Sequence, residues 1–264
     1  MTPDSQLARA PHDAHRYVLA VSQEVVTVFG GALVGVYTTG SLALGGFIPG
    51  RSDIDLMAVV DGDEGPKTCL DLAVRLDHSR MPCPASGLEF VLYPRAIVTT
   101  PSTDAGYLLN LNTGPRLAPV ADLDSSAAPA FWFVLDRAIT AQSGESVIGP
   151  PASVLFRVPP AHQLLPVVLA AVETQQQDRS DLLDNVVLNA CRAFRFAQDR
   201  RWYSKAEAGR RTAATPGPFT ALIRAALATH EQGRHAGNAL PTYAVEAFLA
   251  HVRARLEQAI NTAV

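Results

Sequence analysis

The chain has 264 residues, 48% of them hydrophobic and 18% charged, with a formal net charge of −3. That length allows one large or two modest domains with real cores, and the acidic balance excludes the broad cationic footprint that nucleic acid requires. Three cysteines, Cys69, Cys83 and Cys191, are too few and too scattered for a disulfide framework or a closed zinc site, so a reduced, cytoplasmic setting is expected.

No membrane span is expected. The uncharged stretch from Val25 to Gly50 is long enough to cross a bilayer, but it holds seven glycines, a Thr-Thr-Gly-Ser run and Pro49. It divides into helix end, strand and loop. Residues 1–10 carry Asp4 and Arg9 and lack a hydrophobic signal core, so a soluble, unprocessed protein is expected.

In chain order, Tyr17, Val18, Val21, Val25, Val26 and Phe29 approximate one apolar face and predict a helix over 12–30, ended by Gly30-Gly31. Leu33–Tyr37 reads as a short buried strand, and 39–50 as a glycine-rich loop. Ile54–Val60 is a second strand, Pro66 opens a helix to about Ser79, and Leu88–Tyr93 is a third strand. Residues 101–129 show no clear period, while Phe131–Gln142 looks helical. Gly149-Pro150-Pro151 and Pro159-Pro160 mark a boundary. Beyond it, helices are expected at 161–176, 181–200, 203–214, 218–232 and 241–262, with Pro218 and Pro241 as first-turn prolines. The expected fold is α+β: a mixed sheet with helices over residues 1–156, then an α-helical bundle over 157–264.

The strongest chemical signal is Gly40-Ser41, then ten residues, then Ser52-Asp53-Ile54-Asp55-Leu56. In a strand, positions 53 and 55 project from one face while Ile54 points to the core. Two carboxylates held side by side repel unless a cation lies between them, and hard oxygen ligands left open to a phosphate suit Mg²⁺. Gly40 lets the backbone approach a phosphate, and Ser41 offers a hydroxyl and an amide. In Gly87-Leu88-Glu89-Phe90-Val91-Leu92, the three apolar residues Leu88, Phe90 and Leu92 share one face and Glu89 takes the other. A charge there must be solvated, paired or close to metal.

The run YTTGSLALGGFIPGRSDIDLMAVV resembles the nucleotidyltransferase signature of the DNA polymerase β superfamily. GESVIGPP, SDLLDNVVLNACRAFRF and WYSKAEA resemble the second domain of the aminoglycoside nucleotidyltransferases, in their streptomycin/spectinomycin adenylyltransferase branch. The resemblance is firm at residues 35–60, 86–92 and 144–212. It implies that Asp53 and Asp55 bind metal and that Glu89 is the base and a further metal ligand. It also implies that Gly40, Ser41 and Ser52 lie at the phosphates, and that Arg192 and Lys205 reach them from the helical domain. Asp178 matches an aspartate implicated in drug binding. Two acceptor-side positions depart from the family pattern: Glu173 replaces a tryptophan and Leu182 replaces an acidic residue.

The long helix supports a site by its own geometry. Asp181, Asn185 and Arg192 lie within about 40° of each other, because spacings of seven and eleven residues are near-whole numbers of turns. Asp181 therefore points along the same line as Arg192 and suits the role left vacant at Leu182. Elsewhere, Asn110 and Asn112 suit either a pocket wall or a turn, Trp132 and Trp202 a core or cleft wall, and Cys191 a packed apolar position. None of the seven histidines shows ligand spacing, and all are expected at the surface.

These readings converge on a Mg²⁺-dependent transferase, with two ions expected, that moves AMP from ATP to a hydroxyl of an aminoglycoside or aminocyclitol antibiotic. Glu173, Asp178, Asp181 and Asn185 would meet the cationic acceptor. Spectinomycin ranks ahead of streptomycin, since the missing tryptophan removes an aromatic wall. A monomer with no nucleic-acid or membrane partner is expected. The rivals are a relative acting on another small molecule or a protein, and a non-catalytic nucleotide-binding regulator. Retention of all three carboxylates disfavours the regulator, because a pure binder needs no base.

Overall fold

A computed structural model describes residues 5–177, 183–232 and 240–262. The chain forms two compact units, Met1–Pro159 and Pro160–Val264.

The first unit is built on a six-stranded sheet in the order β5-β4-β3-β2-β1-β6. Its elements run α1 (Gln6–Arg9), α2 (His12–Phe29), β1 (Leu33–Thr38), α3 (Gly40–Ala43), β2 (Ile54–Val60), α4 (Pro66–Leu76), β3 (Leu88–Pro94), α5 (Arg95–Val98), β4 (Leu109–Gly114), β5 (Leu117–Asp122), α6 (Ala130–Ser143), β6 (Ser146–Ile148) and α7 (Ala152–Leu155). Only β2 and β3 pair in parallel; the other neighbours are antiparallel, so the sheet is mixed, as expected.

The period of two in β2 and β3 divides two cores. Ile54, Leu56, Ala58 and Val60 join Leu88, Phe90 and Leu92 beneath Val18, Val21 and Val25 of α2 and Leu72 and Leu76 of α4. Met57, Val59, Val91 and Tyr93 face the other way, toward Phe133 of α6 and the Leu155-Phe156 pair. With both faces covered, β2 is buried along its length except at Asp55. Each fully buried aliphatic side chain contributes roughly 1.5–3 kcal/mol, so a largely buried carboxylate in that strand requires a local reason.

Several elements differ from expectation. Residues 101–129 contain β4, which pairs with β3, and β5, which folds back on β4 as a tight hairpin. The 39–50 loop opens with the short helix α3. The helix expected to about Ser79 stops at Leu76, where the Asp77 carboxylate accepts the Ser79 backbone N–H at 2.7 Å and turns the chain. The GESVIGPP segment forms β6, and the Glu145 carboxylate accepts backbone N–H groups of Gln6 and Leu7 and the Ser5 hydroxyl at the start of α1.

The second unit is helical throughout its described residues: α8 (Ala161–Gln177), α9 (Leu183–Asp199), α10 (Lys205–Ala213), α11 (Thr220–Gln232) and α12 (Thr242–Asn261). Helix α9 packs against all four others, which is why Asp184 near its start is only 2% exposed. His230 of α11 lies 4.0 Å from the Asp184 carboxylate and is buried, not at the surface as expected. Cys191 is packed as expected, and burial pushes its thiol up to about 12. Trp202 stacks on Phe196 with ring centroids 4.2 Å apart, a core role. Pro241 sits at the N-cap of α12, and Pro218 precedes α11 rather than entering its first turn. Among the described residues, no helix is long and apolar enough to cross a membrane.

Candidate active site

The first turn after β1 and the first residues of β2 meet at Gly40. Its φ is +55°, a left-handed conformation that favours glycine, and a Cβ there would fall 1.9 Å from Asp55 Oδ2. The missing side chain is therefore the space the carboxylate occupies. The next residue, Ser41, donates its backbone N–H to Asp55 Oδ2 at 3.3 Å. Its hydroxyl oxygen is buried and has no hydrogen-bond partner among the described residues. A buried hydroxyl without a partner costs about 1–3 kcal/mol, which a ligand oxygen at this turn would recover.

Asp55 is the register partner of Glu89 across the parallel β2–β3 pair, and Glu89 is in turn opposite Asn112 of β4. Three strands thus set an acid, an acid and an amide side by side. Glu89 is exposed, while Leu88 and Phe90 on either side are buried. Asp53 stands at the mouth of β2, where a Cβ on Gly87 would lie 3.3 Å from its Oδ1.

A cleft of about 320 Å³ opens over this row, lined by Thr39, Asp55, Leu56, Met57, Glu89, Val91, Asn110, Asn112, Trp132, Phe133 and Asp136. Three of these side chains are acidic and none is basic. Burial, followed by the charges of Glu89, Asp136 and Asp53, holds the Asp55 carboxyl well above the ordinary carboxylate range, opposed by the Ser41 N–H. Such a site calls for positive charge. Among the described residues, no three His, Cys, Asp or Glu side chains close into a ready-made metal cage. Mg²⁺ seldom needs one, since it is usually held by one or two carboxylates together with substrate phosphates and water. The all-oxygen donors, the partnerless Ser41 hydroxyl and the cradle at Gly40 fit Mg²⁺ with a bound phosphate.

Sequence periodicity did not single out Asp136, Thr39 or Phe133. The signal for Asp136 was slight: it and Arg137 are the only charged residues in the apolar helix α6. Thr39 joins the two carboxylate-bearing elements. Its N–H donates to the Asp55 carbonyl at 3.0 Å and its hydroxyl to the Asp136 carbonyl at 3.3 Å. Asn110 and Asn112 line the cleft instead of forming a turn, and Trp132 forms part of its wall. Ser52, expected at a phosphate, uses its hydroxyl to accept the Ile48 N–H at 3.0 Å and so closes the preceding loop.

In the helical unit, Lys205 Nζ donates to Asn185 Oδ1 at 3.4 Å, and Arg192 Nη1 to Asn189 Oδ1 at 3.4 Å. Asn185 and Arg192 therefore share one polar side of α9, as their spacing implied, and Lys205 of α10 reaches it through Asn185. Asn189 joins them; it lies one turn from both Asn185 and Arg192, a spacing legible in the sequence. Glu173 pairs with Arg253 of α12 at 3.4 Å, and Arg253 also approaches Glu257 at 3.7 Å. Asp178, Asp181 and Leu182 lie outside the described residues.

Residues 153–255 match the family model of the aminoglycoside adenylyltransferase C-terminal domain. The matched span covers only the C-terminal part of the chain, so the likeness to the aminoglycoside adenylyltransferases is carried by this domain. The enzyme class of the chain is nucleotidyltransferase. No protein of curated function matches the chain by sequence. Among solved structures, the chain is similar to spectinomycin adenyltransferase AAD(9) from Enterococcus faecialis, determined with ATP and spectinomycin. The match has a TM-score of 0.67 at 13% identity and covers 92% of this chain and 99% of the other, so it speaks for the fold alone.

Proposed function

We propose that this adenylyltransferase moves AMP from Mg²⁺-ATP to a hydroxyl of an aminocyclitol antibiotic, with spectinomycin preferred over streptomycin, as a cytoplasmic monomer. The observation that carries the chemistry is the register pair of Asp55 and Glu89, set beside a partnerless serine hydroxyl in a cleft without basic side chains.

Two Mg²⁺ ions held by Asp53, Asp55 and Glu89 would neutralise these carboxylates and the triphosphate and so let both occupy one site. Ser41 supplies a hydroxyl to a phosphate oxygen. Ser52 shapes the loop leading to Asp53. Glu89, exposed at the edge of the row, accepts the proton from the acceptor hydroxyl. That oxygen forms a bond to the α-phosphorus, the bond from the α-phosphorus to the bridging oxygen breaks, and pyrophosphate leaves. Arg192 and Lys205 are the proposed triphosphate ligands of the helical unit, and the approach of Lys205 to the side of α9 that carries Asn185 and Arg192 supports this. Asp178, Asp181 and Asn185 are the proposed acceptor residues there, with Glu173 contributing a charge it already shares with Arg253.

The test is incubation with ATP, Mg²⁺ and an aminocyclitol panel, with pyrophosphate release and product mass as readouts. An acceptor heavier by one AMP is expected. Tight ATP binding with no adduct on any member of the panel would overturn the reading.

A further inference from the structure

Trp132 and Asp136 are four residues apart on α6 and line the same wall of the cleft that contains Asp55 and Glu89. Residues at this spacing stack one above the other on a helix face. Trp132 is 43% exposed although it is one of the largest apolar side chains in the protein, whereas Trp202 is 6% exposed in the helical unit. An indole left open beside a carboxylate has the two features that recognise a cationic ring: a flat apolar face and a negative charge at its end.

The orientation of this helix is tightly set. The Asp136 carbonyl accepts the hydroxyls of Thr39 and Thr140, at 3.3 and 2.8 Å. The neighbouring cation, Arg137, is buried and donates to the carbonyls of Ala105, Ser102 and Asp104 at 2.8, 3.1 and 2.6 Å, with its guanidinium over the Tyr93 ring. Arg137 thus anchors the loop before β4, and it does not line the cleft. The cleft is left with an acid on α6 as well as the row of acids on the strands.

We propose that Trp132 and Asp136 bind the acceptor, the indole lying against an aminocyclitol ring and the carboxylate taking its ammonium group. The proposal rests on the adenylyl-transfer reading and adds to it a recognition wall contributed by the N-terminal unit. An adenine ring could also stack on the indole, but a carboxylate one turn away would repel the phosphates that accompany it. The cationic acceptor suits both residues.

The experiment is steady-state kinetics of the full chain and of Asp136→Asn, Asp136→Glu, Trp132→Ala and Trp132→Phe, varying acceptor at saturating Mg²⁺-ATP and then the reverse. Asp136→Asn should raise the acceptor KM by about tenfold to a hundredfold, the effect of losing one charge-assisted hydrogen bond. The KM for ATP should stay within about twofold, and Asp136→Glu should restore part of the loss in acceptor KM. Trp132→Ala should raise the acceptor KM by about threefold to tenfold, and Trp132→Phe should recover most of it. The conservative pair keeps the test decisive if either drastic variant misfolds. An unchanged acceptor KM overturns the proposal. So does a loss that appears in the ATP KM or the Mg²⁺ requirement, which would assign these residues to the nucleotide. If the wild-type protein forms no adduct with any aminocyclitol, the adenylyl-transfer reading has failed and this proposal falls with it, a result visible before any variant is compared.

Discussion

Asp55 and Glu89 face each other in direct register across the only parallel strand pair of the sheet. In a parallel ladder, opposite residues point to the same face, so the two carboxylates cannot turn away from each other without breaking the pairing of buried strands. Their repulsion is built into the backbone, and the burial of Asp55 makes it more costly. A cation is the natural remedy, and this links the sheet to the proposed chemistry.

The first prediction separates metal binding from proton transfer. Glu89→Gln keeps shape and one oxygen ligand while removing the base, so turnover should fall by roughly 10²–10⁴ with little change in ATP affinity. Asp53→Asn removes a metal ligand and should weaken Mg²⁺-ATP binding as well as turnover. Single-turnover kinetics and calorimetry on the pair check this. Near-normal single-turnover rates in Glu89→Gln would make Glu89 a surface carboxylate.

The raised Asp55 carboxyl makes a prediction about pH. Between its ordinary value and its raised value in the folded protein, the folded state binds more protons than the unfolded state. Stability therefore falls as pH rises through that window, and the penalty is fully present above it. Asp55→Asn removes the charge, and its side-chain oxygen can still accept the Ser41 N–H. The metal-free variant should melt above wild type at neutral pH, an advantage that shrinks as pH falls toward the ordinary carboxylate range near about 4. It should also lose the extra stability that Mg²⁺-ATP confers on wild type. A variant melting below wild type at every pH would contradict the electrostatic account.

Gly40→Ala should injure the site more than the fold. A methyl group would occupy the position of Asp55 Oδ2 and add left-handed strain, together costing about 1–3 kcal/mol. Gly50 is the control: its φ is +73°, but a Cβ there meets nothing within 4 Å. Gly50→Ala should lower the melting temperature modestly and leave kcat unchanged, whereas Gly40→Ala should lose most turnover. Equal kinetics in the two variants would show that contact with Asp55 is unimportant.

The polar side of α9 is tested by Arg192→Ala and Lys205→Ala. Each should weaken ATP binding by roughly 1.5–3 kcal/mol, the scale of a charge-assisted hydrogen bond. Calorimetry with unchanged affinity in both variants would detach this helix side from the nucleotide.

The sequence determined the parts governed by short-range period and local chemistry. Strand β2 begins and ends where the apolar run does, at Ile54 and Val60. Alternation put Glu89 opposite Leu88 and Phe90, and helical period aligned Asn185 with Arg192. What needed the tertiary structure was every relation between segments distant along the chain. Strand β5 is exposed over most of its length and carries little pattern of its own, and β4 shows only the brief Leu-Asn alternation of residues 109–112; β4 joins the sheet because β3 offers it an edge. Asp136 belongs to the site because Thr39 ties α6 to the turn after β1, a contact spanning 97 residues that no local period encodes. Glu173, whose sequence position suggested the acceptor, shares its charge with Arg253 across two packed helices. Local sequence sets which way a side chain points along its own element; packing decides which other side chains it meets.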